Sequence, residues 1–202
     1  IIYKKKGSTF MKKYLLIILL LPLLISCSNN HQNKKVTIVE YGDYKCPYCK
    51  YFDTKIMPKL EKEYIDKDKV DYSFVNLSFL GKDSIIGSRA SHAVKNIAPK
   101  HYLEFHHKIY KEQPNNEKKW ITYKKVDNII DQLSINKKEK DKIKKNYKQK
   151  NSKSYKDANK DKKIAKKEKV DMAPTVTIND EMIEDPLDKN EFFKKLNKEL
   201  KK

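Results

Sequence analysis

Two cysteines separated by two residues, Cys46-Pro47-Tyr48-Cys49, follow directly on the apolar run Val36-Thr37-Ile38-Val39-Glu40-Tyr41. The run has the β-branched and aromatic content of a strand, and the stretch from Tyr51-Phe52 onward has the spacing of a helix. The first cysteine therefore falls at the start of a helix, where unpaired backbone N–H groups and the helix dipole favour a thiolate. A thiolate two residues from a second thiol can form, break and exchange disulfides. A C-x-x-C can also be half of a metal site or a structural staple, so the rest of the chain has to decide between these chemistries.

The N-terminal region bears on compartment. Met11-Lys12-Lys13 is a short basic start, and Leu15 to Ile25 is an apolar run of eleven residues with Pro22 inside it. A bilayer span needs about 20 apolar residues, so residues 11–26 read as an export signal instead. The run ends in Leu24-Ile25-Ser26-Cys27, followed by polar Ser28-Asn29-Asn30. This resembles a bacterial lipobox, which implies cleavage before Cys27 and lipidation of its sulfur and amine. The other reading is an ordinary signal peptide with a chance cysteine. Residues 27–35 form a polar tether. Residues 1–10 precede the usual start of such a signal, and Ile1 is not a normal initiator. They are expected to be a non-native upstream extension.

With Cys27 assigned to lipid, the mature chain holds a single cysteine pair. One pair does not make a disulfide-stapled scaffold, and about 170 residues suffice for a domain with its own core. A structural zinc site would need two further ligands. His92, His101, His106 and His107 are available, but adjacent helical residues such as His106-His107 point about 100° apart. No metal site is expected, and the histidines read as surface or partly buried helix residues. The net charge is +19; removing residues 1–26 takes away five lysines and no acid and leaves +14. Arg89 is the only arginine. Base and phosphate recognition relies on arginine forks, so no nucleic-acid site is expected. The lysines read as solvated helix faces with an affinity for anionic lipid and cell-wall polymers.

Along the chain, Val36–Tyr41 reads as the first core strand. A helix from Pro47 to about Glu63 carries Phe52, Ile56, Leu60 and Tyr64 on one face, with a kink at Pro58. Val70–Leu77 is a second strand, and strand–helix–strand suggests parallel pairing. Residues 81–149 show no strand signal. They read as helices marked by Ile86, Ala90, Ala93, Val94 and Ile97; by Tyr102, Phe105 and Ile109; by Val126, Ile129, Ile130 and Leu133; and by Ile143 and Tyr147. Asn136 with Glu139 forms a capping-box pattern ahead of the last of these. Ser152 to Lys169 is a lysine-rich helix with Tyr155, Ala158 and Ala165 inward. After the loop Val170-Asp171-Met172-Ala173-Pro174 come a strand to Ile178, a tight Asn179-Asp180 turn, a return strand over Met182–Glu184, and a helix capped by Asp188 with Phe192, Phe193 and Leu196 facing in.

This order resembles the DsbA family: an α/β thioredoxin fold with an inserted helical domain, close to the lipoprotein DsbA-like proteins of firmicutes. The stretches Val39 to Cys49, Val75 to Ser84 and Ala173-Pro174-Thr175 carry the resemblance, which covers the chain from Val36 onward. It implies a thioredoxin-like domain from residues 36–80 and 150–202, with 81–149 as the insertion. It implies that Cys46 is the exposed nucleophile and Cys49 the resolving thiol, with their disulfide as the redox centre and no further cofactor. Pro174 matches the family's cis-proline, whose preceding backbone pairs with an extended substrate. Ala173 departs from the Thr or Val common there. Pro47 and Tyr48 border the substrate side. Glu40, the one acid in an apolar strand, matches the buried acid that assists proton transfer to Cys49; on residue type alone it could equally be an edge-exposed strand residue.

The function that the resemblance implies is an extracytoplasmic, membrane-anchored, monomeric oxidase that introduces disulfides into unfolded or reduced exported polypeptides, with a reoxidising partner the sequence does not name. Two alternatives stay open at this point. One is a reductase or isomerase on the same fold; the other is a non-enzymatic surface lipoprotein, which would have no use for paired thiols opposite a Pro-Thr strand.

Overall fold

The computed structural model describes residues 35–116 and 118–202. The expected upstream extension (1–10), export signal (11–26), lipidated Cys27 and nearly all of the tether lie outside the described residues.

Among the described residues four strands form one sheet in the order β2-β1-β3-β4: β1 (Val36–Gly42), β2 (Val70–Asn76), β3 (Thr175–Ile178) and β4 (Glu181–Met182). β1 pairs parallel to β2, as the strand–helix–strand pattern predicts, and antiparallel to β3. The β3–β4 hairpin turns through Asn179 and Asp180, both at positive φ, which suits these residue types. β4 is shorter than expected because only two residues complete the ladder before Ile183 N–H bonds the Val176 carbonyl. Central β1 is covered on both faces, so its apolar run is nearly continuous. Ile38 packs with Phe52, Ile56, Leu60, Phe192 and Leu196, while Tyr41 packs with Val75, Leu77 and Ala165 on the other side.

The helix after the cysteines is broken where proline demands it. α1 (Pro47–Lys55) ends at Ile56, and α2 (Met57–Leu60) runs into a single π turn, Glu61–Ile65. Pro58 has no N–H to continue the ladder, which accounts for the kink. The π turn carries no sequence signal. The inward face Phe52, Ile56, Leu60 and Tyr64 is nevertheless buried as expected.

Between β2 and β3 the chain forms α3 (Ser84–Ile97), α4 (Tyr102–Lys111), α5 (Tyr123–Asp131) and α6 (Lys137–Lys148), followed by α7 (Lys153–Lys167). α8 (Lys189–Glu199) closes the chain, capped by Asp188. The Asn136–Glu139 capping box is reciprocal, as expected. The inserted helices share a core with Tyr44, Phe74 and both cysteines of the motif. On α7 the expectation for Tyr155 needs correcting: it is only partly buried, beneath the Arg89 guanidinium at 3.9 Å. A buried charged residue there is Asp161, whose carboxylate accepts from Asn76 N–H (3.0 Å) and pairs with His92 (2.7 Å), tying α7 to the end of β2.

Gly42 ends β1 where two groups crowd the backbone. A methyl at its Cα would meet Phe74 Cε2 at 2.5 Å and Cys49 Sγ at 3.2 Å. Gly42→Ala should therefore destabilise the protein by about 1–3 kcal/mol through overpacking, measurable by chemical denaturation. An unchanged midpoint would show that Phe74 yields without cost.

Candidate functional site

Cys46 is the N-cap of α1, with Pro47 in the first turn. Proline fits there because the first-turn N–H groups have no helical partner. The N–H of Cys49, one turn on, points back to Cys46 Sγ at 3.3 Å, and Cys46 Sγ lies 3.2 Å from the Ala173 carbonyl oxygen. The Ala173–Pro174 bond is cis, and the loop before β3 lies against the cysteine. Among the described residues the Ala173 N–H meets no acceptor. The exposed nucleophile implied by the resemblance is here a nearly covered one. Cys46 retains only 3% exposure, because its sulfur is turned between the Ala173 carbonyl and the Cys49 amide.

The two thiols differ electrostatically. Cys46 is held below its ordinary range, first by the Cys49 thiol, then by the N–H groups of Cys49 and Tyr48, against the opposing effect of burial. Burial, followed by the Cys46 sulfur and the Glu40 charge, pushes the Cys49 thiol well up. The pair thus consists of an outer sulfur that tolerates charge and an inner one that does not.

Glu40 lies on the sheet face that carries Ile38 and Gly42 and is 1% exposed, so it is not an edge residue. Burial raises its carboxyl to about 8, with Asp53 and Cys46 adding to the effect and a hydrogen bond from the Tyr72 hydroxyl, 2.6 Å from Oε2, opposing it. Among the described residues Glu40 Oε1 has no hydrogen-bond partner.

A groove of roughly 470 Å³ opens beside Cys46, walled by Pro47, Tyr48, Phe79, Leu80, Met172 and Ala173. Tyr48, Phe79, Leu80 and Met172 are each more than 40% exposed, an apolar surface that water covers at a cost. Of these, Pro47, Tyr48 and Ala173 are anticipated by the sequence motif. Phe79, Leu80 and Met172 are not, because nothing in their local pattern says that two distant loops meet.

The Phe79–Leu80 loop and the groove residue Lys45 are held by two aspartates that sequence reasoning also missed. Asp43 Oδ2 accepts from the N–H groups of Phe79 (2.9 Å) and Leu80 (3.0 Å), and its Oδ1 from Lys45 N–H. Asp83 accepts from Trp120 and Ile121 N–H and pairs with Lys45 Nζ at 3.1 Å. Beneath the motif, the Tyr44 hydroxyl donates to Ser91 and lies 3.2 Å from His106 Nδ1.

The histidines need a second correction. His106 is fully buried, wedged edge-on against Phe74 and Tyr110, and burial lowers it to about 4. Nor do the adjacent histidines diverge as expected. His107 Nδ1 bonds Asp53 Oδ1 at 2.6 Å while His106 Nε2 stands 3.8 Å from the same oxygen. Burial disfavours charge on His107, yet its bonds to Asp53 and Glu61 raise it to about 10. Among the described residues no three His, Cys, Asp or Glu side chains converge as metal ligands.

Comparison with known proteins agrees with this geometry. A family model described as thioredoxin matches residues 31–198. Disulfide bond formation protein D of Bacillus subtilis (strain 168) is 36% identical over 166 residues, covering 82% of this chain and 73% of the relative. Probable disulfide bond formation protein D of Bacillus anthracis is 36% identical over 167 residues, covering 83% and 75%. The crystal structure of oxidised BdbD from Bacillus subtilis superposes with a TM-score of 0.75 at 35% identity, over 83% of this chain and 88% of that one. The thiol-disulfide exchange protein α-DsbA2 of Wolbachia pipientis shares the fold, with a TM-score of 0.66 at 23% identity over 83% of each chain. A strand-to-helix C-x-x-C with unequal thiols, set in a thioredoxin fold with an inserted helical region, places this chain in the thioredoxin family, among the DsbA-like protein thiol-disulfide oxidoreductases.

Proposed function

We propose that the protein is a dithiol oxidase that introduces disulfides into unfolded or reduced exported polypeptides, acting as a monomer at the extracytoplasmic face of the cell membrane, held there by lipid on Cys27. The observation that carries the direction is the inequality of the two thiols. Anything that stabilises the Cys46 thiolate stabilises the dithiol form, which makes the disulfide the stronger oxidant.

In the forward reaction a substrate thiolate attacks Cys46 Sγ of the Cys46–Cys49 disulfide, and the electron pair of the broken bond goes to Cys49. Cys49 is a poor thiolate, so its departure is helped by a proton. Glu40, whose carboxyl is still largely protonated at neutral pH, supplies it. A second substrate thiolate then attacks the substrate sulfur of the mixed disulfide and expels Cys46 as a thiolate, leaving the enzyme reduced and the substrate oxidised. The low pKa of Cys46 makes it a good leaving group in this step. The substrate chain lies extended in the groove, pairing with the free N–H of Ala173 before Pro174, its apolar side chains on Tyr48, Phe79, Leu80 and Met172. The redox centre is the cysteine pair itself, with no other cofactor.

Alkylation of the reduced protein with iodoacetamide as a function of pH tests the inequality. Cys46 should react with a midpoint below the roughly 8.5 of a free thiol, while Cys49 stays unmodified throughout that range. A Cys46 midpoint at or above a free thiol's would remove the ground for the oxidising direction. In the same preparation, the oxidised protein should consume the thiols of a reduced, unfolded polypeptide.

A further inference from the structure

The environment of Glu40 is short of anything that stabilises negative charge. From α1 and its N-cap it meets the charges of Cys49, Asp53 and Cys46; from α4, those of Tyr102 and Tyr110; from the β1–α1 loop, that of Tyr44. β3 presents Val176 opposite it. Every ionisable group among these is an acid, a thiol or a phenol. The His107 imidazolium is taken up by Asp53 and Glu61, and His106 is buried without charge. Among the described residues the one group that bonds the Glu40 carboxyl is the Tyr72 hydroxyl, at 2.6 Å from Oε2. The parallel register sets Phe74 opposite Glu40 and Tyr72 opposite Ile38, so Tyr72 is its diagonal neighbour on the same face.

We propose that Tyr72 is a positioning residue for the exchange reaction: its hydroxyl holds the Glu40 carboxyl on the Cys49 side of β1 and stabilises the carboxylate that remains after the proton has passed to Cys49. A buried carboxyl without such a donor would keep its proton, and a permanently neutral side chain moves none. The donor here is neutral and itself protonated, since burial and the Glu40 charge push the Tyr72 phenol well above its ordinary range, so it stays a donor through the working pH range. It adds a hydrogen bond without adding a second charge to the interior. The free oxygen, Oε1, is left for proton exchange. The inference rests on Glu40 being the proton carrier for Cys49.

The experiment compares Tyr72→Phe, Glu40→Gln and the wild type in two readouts: the midpoint of the Glu40 carboxyl by carbon-13 NMR, and the pH profile of reduction of the oxidised protein by dithiothreitol. Tyr72→Phe should move the Glu40 midpoint upward by about one pH unit, the expected loss of one hydrogen bond to a charged group, and should displace the basic limb of the rate profile by the same amount. At pH 5, where Glu40 is protonated in both proteins, Tyr72→Phe should be the slower one, since the carboxylate left behind has lost its donor; a merely structural defect would slow the reaction without moving the Glu40 midpoint or the limb. Glu40→Gln should remove that limb. A Tyr72→Phe midpoint and profile equal to those of the wild type, with Glu40→Gln still altering the profile, would overturn the role of Tyr72 alone. A Glu40→Gln profile identical to that of the wild type would instead overturn the proton-carrier role and this inference with it.

Discussion

Replacement of Cys46 by serine is expected to reduce disulfide transfer to a reduced polypeptide by at least about 10³-fold, to the uncatalysed rate, with the fold intact. A hydroxyl cannot accept the substrate sulfur, and it cannot leave as a stabilised anion in the second step. The size difference is small and Cys46 contributes an N-cap, a position that serine fills well, so the variant should unfold close to the wild type. The assay is loss of client thiols with oxidised protein, with thermal unfolding beside it. The contrast with Cys49→Ser is informative. That variant keeps the outer sulfur but has no disulfide to give, so it too should leave the thiols of a reduced client unconsumed. Offered a disulfide-containing polypeptide instead, its Cys46 thiolate should displace one client sulfur and stay joined to the other as a mixed disulfide, detectable by mass, because the inner thiol that would release it is gone. A Cys46→Ser protein that still oxidised substrate would leave the groove, and not the cysteine pair, as the functional feature.

Replacement of Glu40 by glutamine has the second largest expected effect, and it runs in opposite directions for stability and rate. Glu40 rises from 4.5 to about 8 on folding. Between those values the folded state holds a proton that the unfolded state has released, so stability falls as pH rises through this window. The loss amounts to roughly 3 kcal/mol between pH 4.5 and pH 7, at about 1.36 kcal/mol for each pH unit. Glutamine keeps the shape and still accepts from Tyr72, but it carries no charge to bury. Glu40→Gln should therefore flatten the pH dependence of stability and be the more stable protein at pH 7–8. It should be the slower one in disulfide exchange, by about 10²-fold at neutral pH, since a positioned proton donor for Cys49 is lost. Denaturant midpoints from pH 4.5 to pH 8 measure the first effect and stopped-flow reduction the second. A variant less stable than the wild type at pH 8 would mean that Glu40 is not a buried acid held against its charge.

Much of the architecture is legible from local pattern. The β-branched run of β1, the proline inside the helix after the motif, the Asn136–Glu139 capping box and the Asn179-Asp180 turn are each decided by interactions within a few residues, and each is where its pattern predicts. Cys46 and Cys49 are legible by their spacing, and Glu40 stands out as the one acid in an apolar strand; the roles of Glu40 and Pro174 come from the family resemblance. What local pattern does not carry is who meets whom across the fold. Tyr72 reads as an ordinary strand residue until the register with β1 sets it diagonal to Glu40. Asp161 sits in a lysine-rich helix whose charges read as solvated, and only the packing of α7 on β2 makes it a buried acceptor. His106 reads as a surface or partly buried residue because its helix offers one apolar stripe. Its burial follows from Tyr44 and Ser91 supplying a polar pocket from elsewhere in the chain. Asp43 and Asp83 shape the groove through bonds to backbone N–H groups 36 to 38 residues away, which no short window contains.

The central claim is that the fold stabilises the reduced pair through Cys46 and so makes the disulfide an oxidant. The equilibrium reduction potential of the Cys46–Cys49 couple against glutathione tests it most directly. The account predicts a value well above the roughly −270 mV of thioredoxin, toward the oxidising end of this fold's range. A value at or below about −270 mV would contradict it and would assign these thiols to reduction instead.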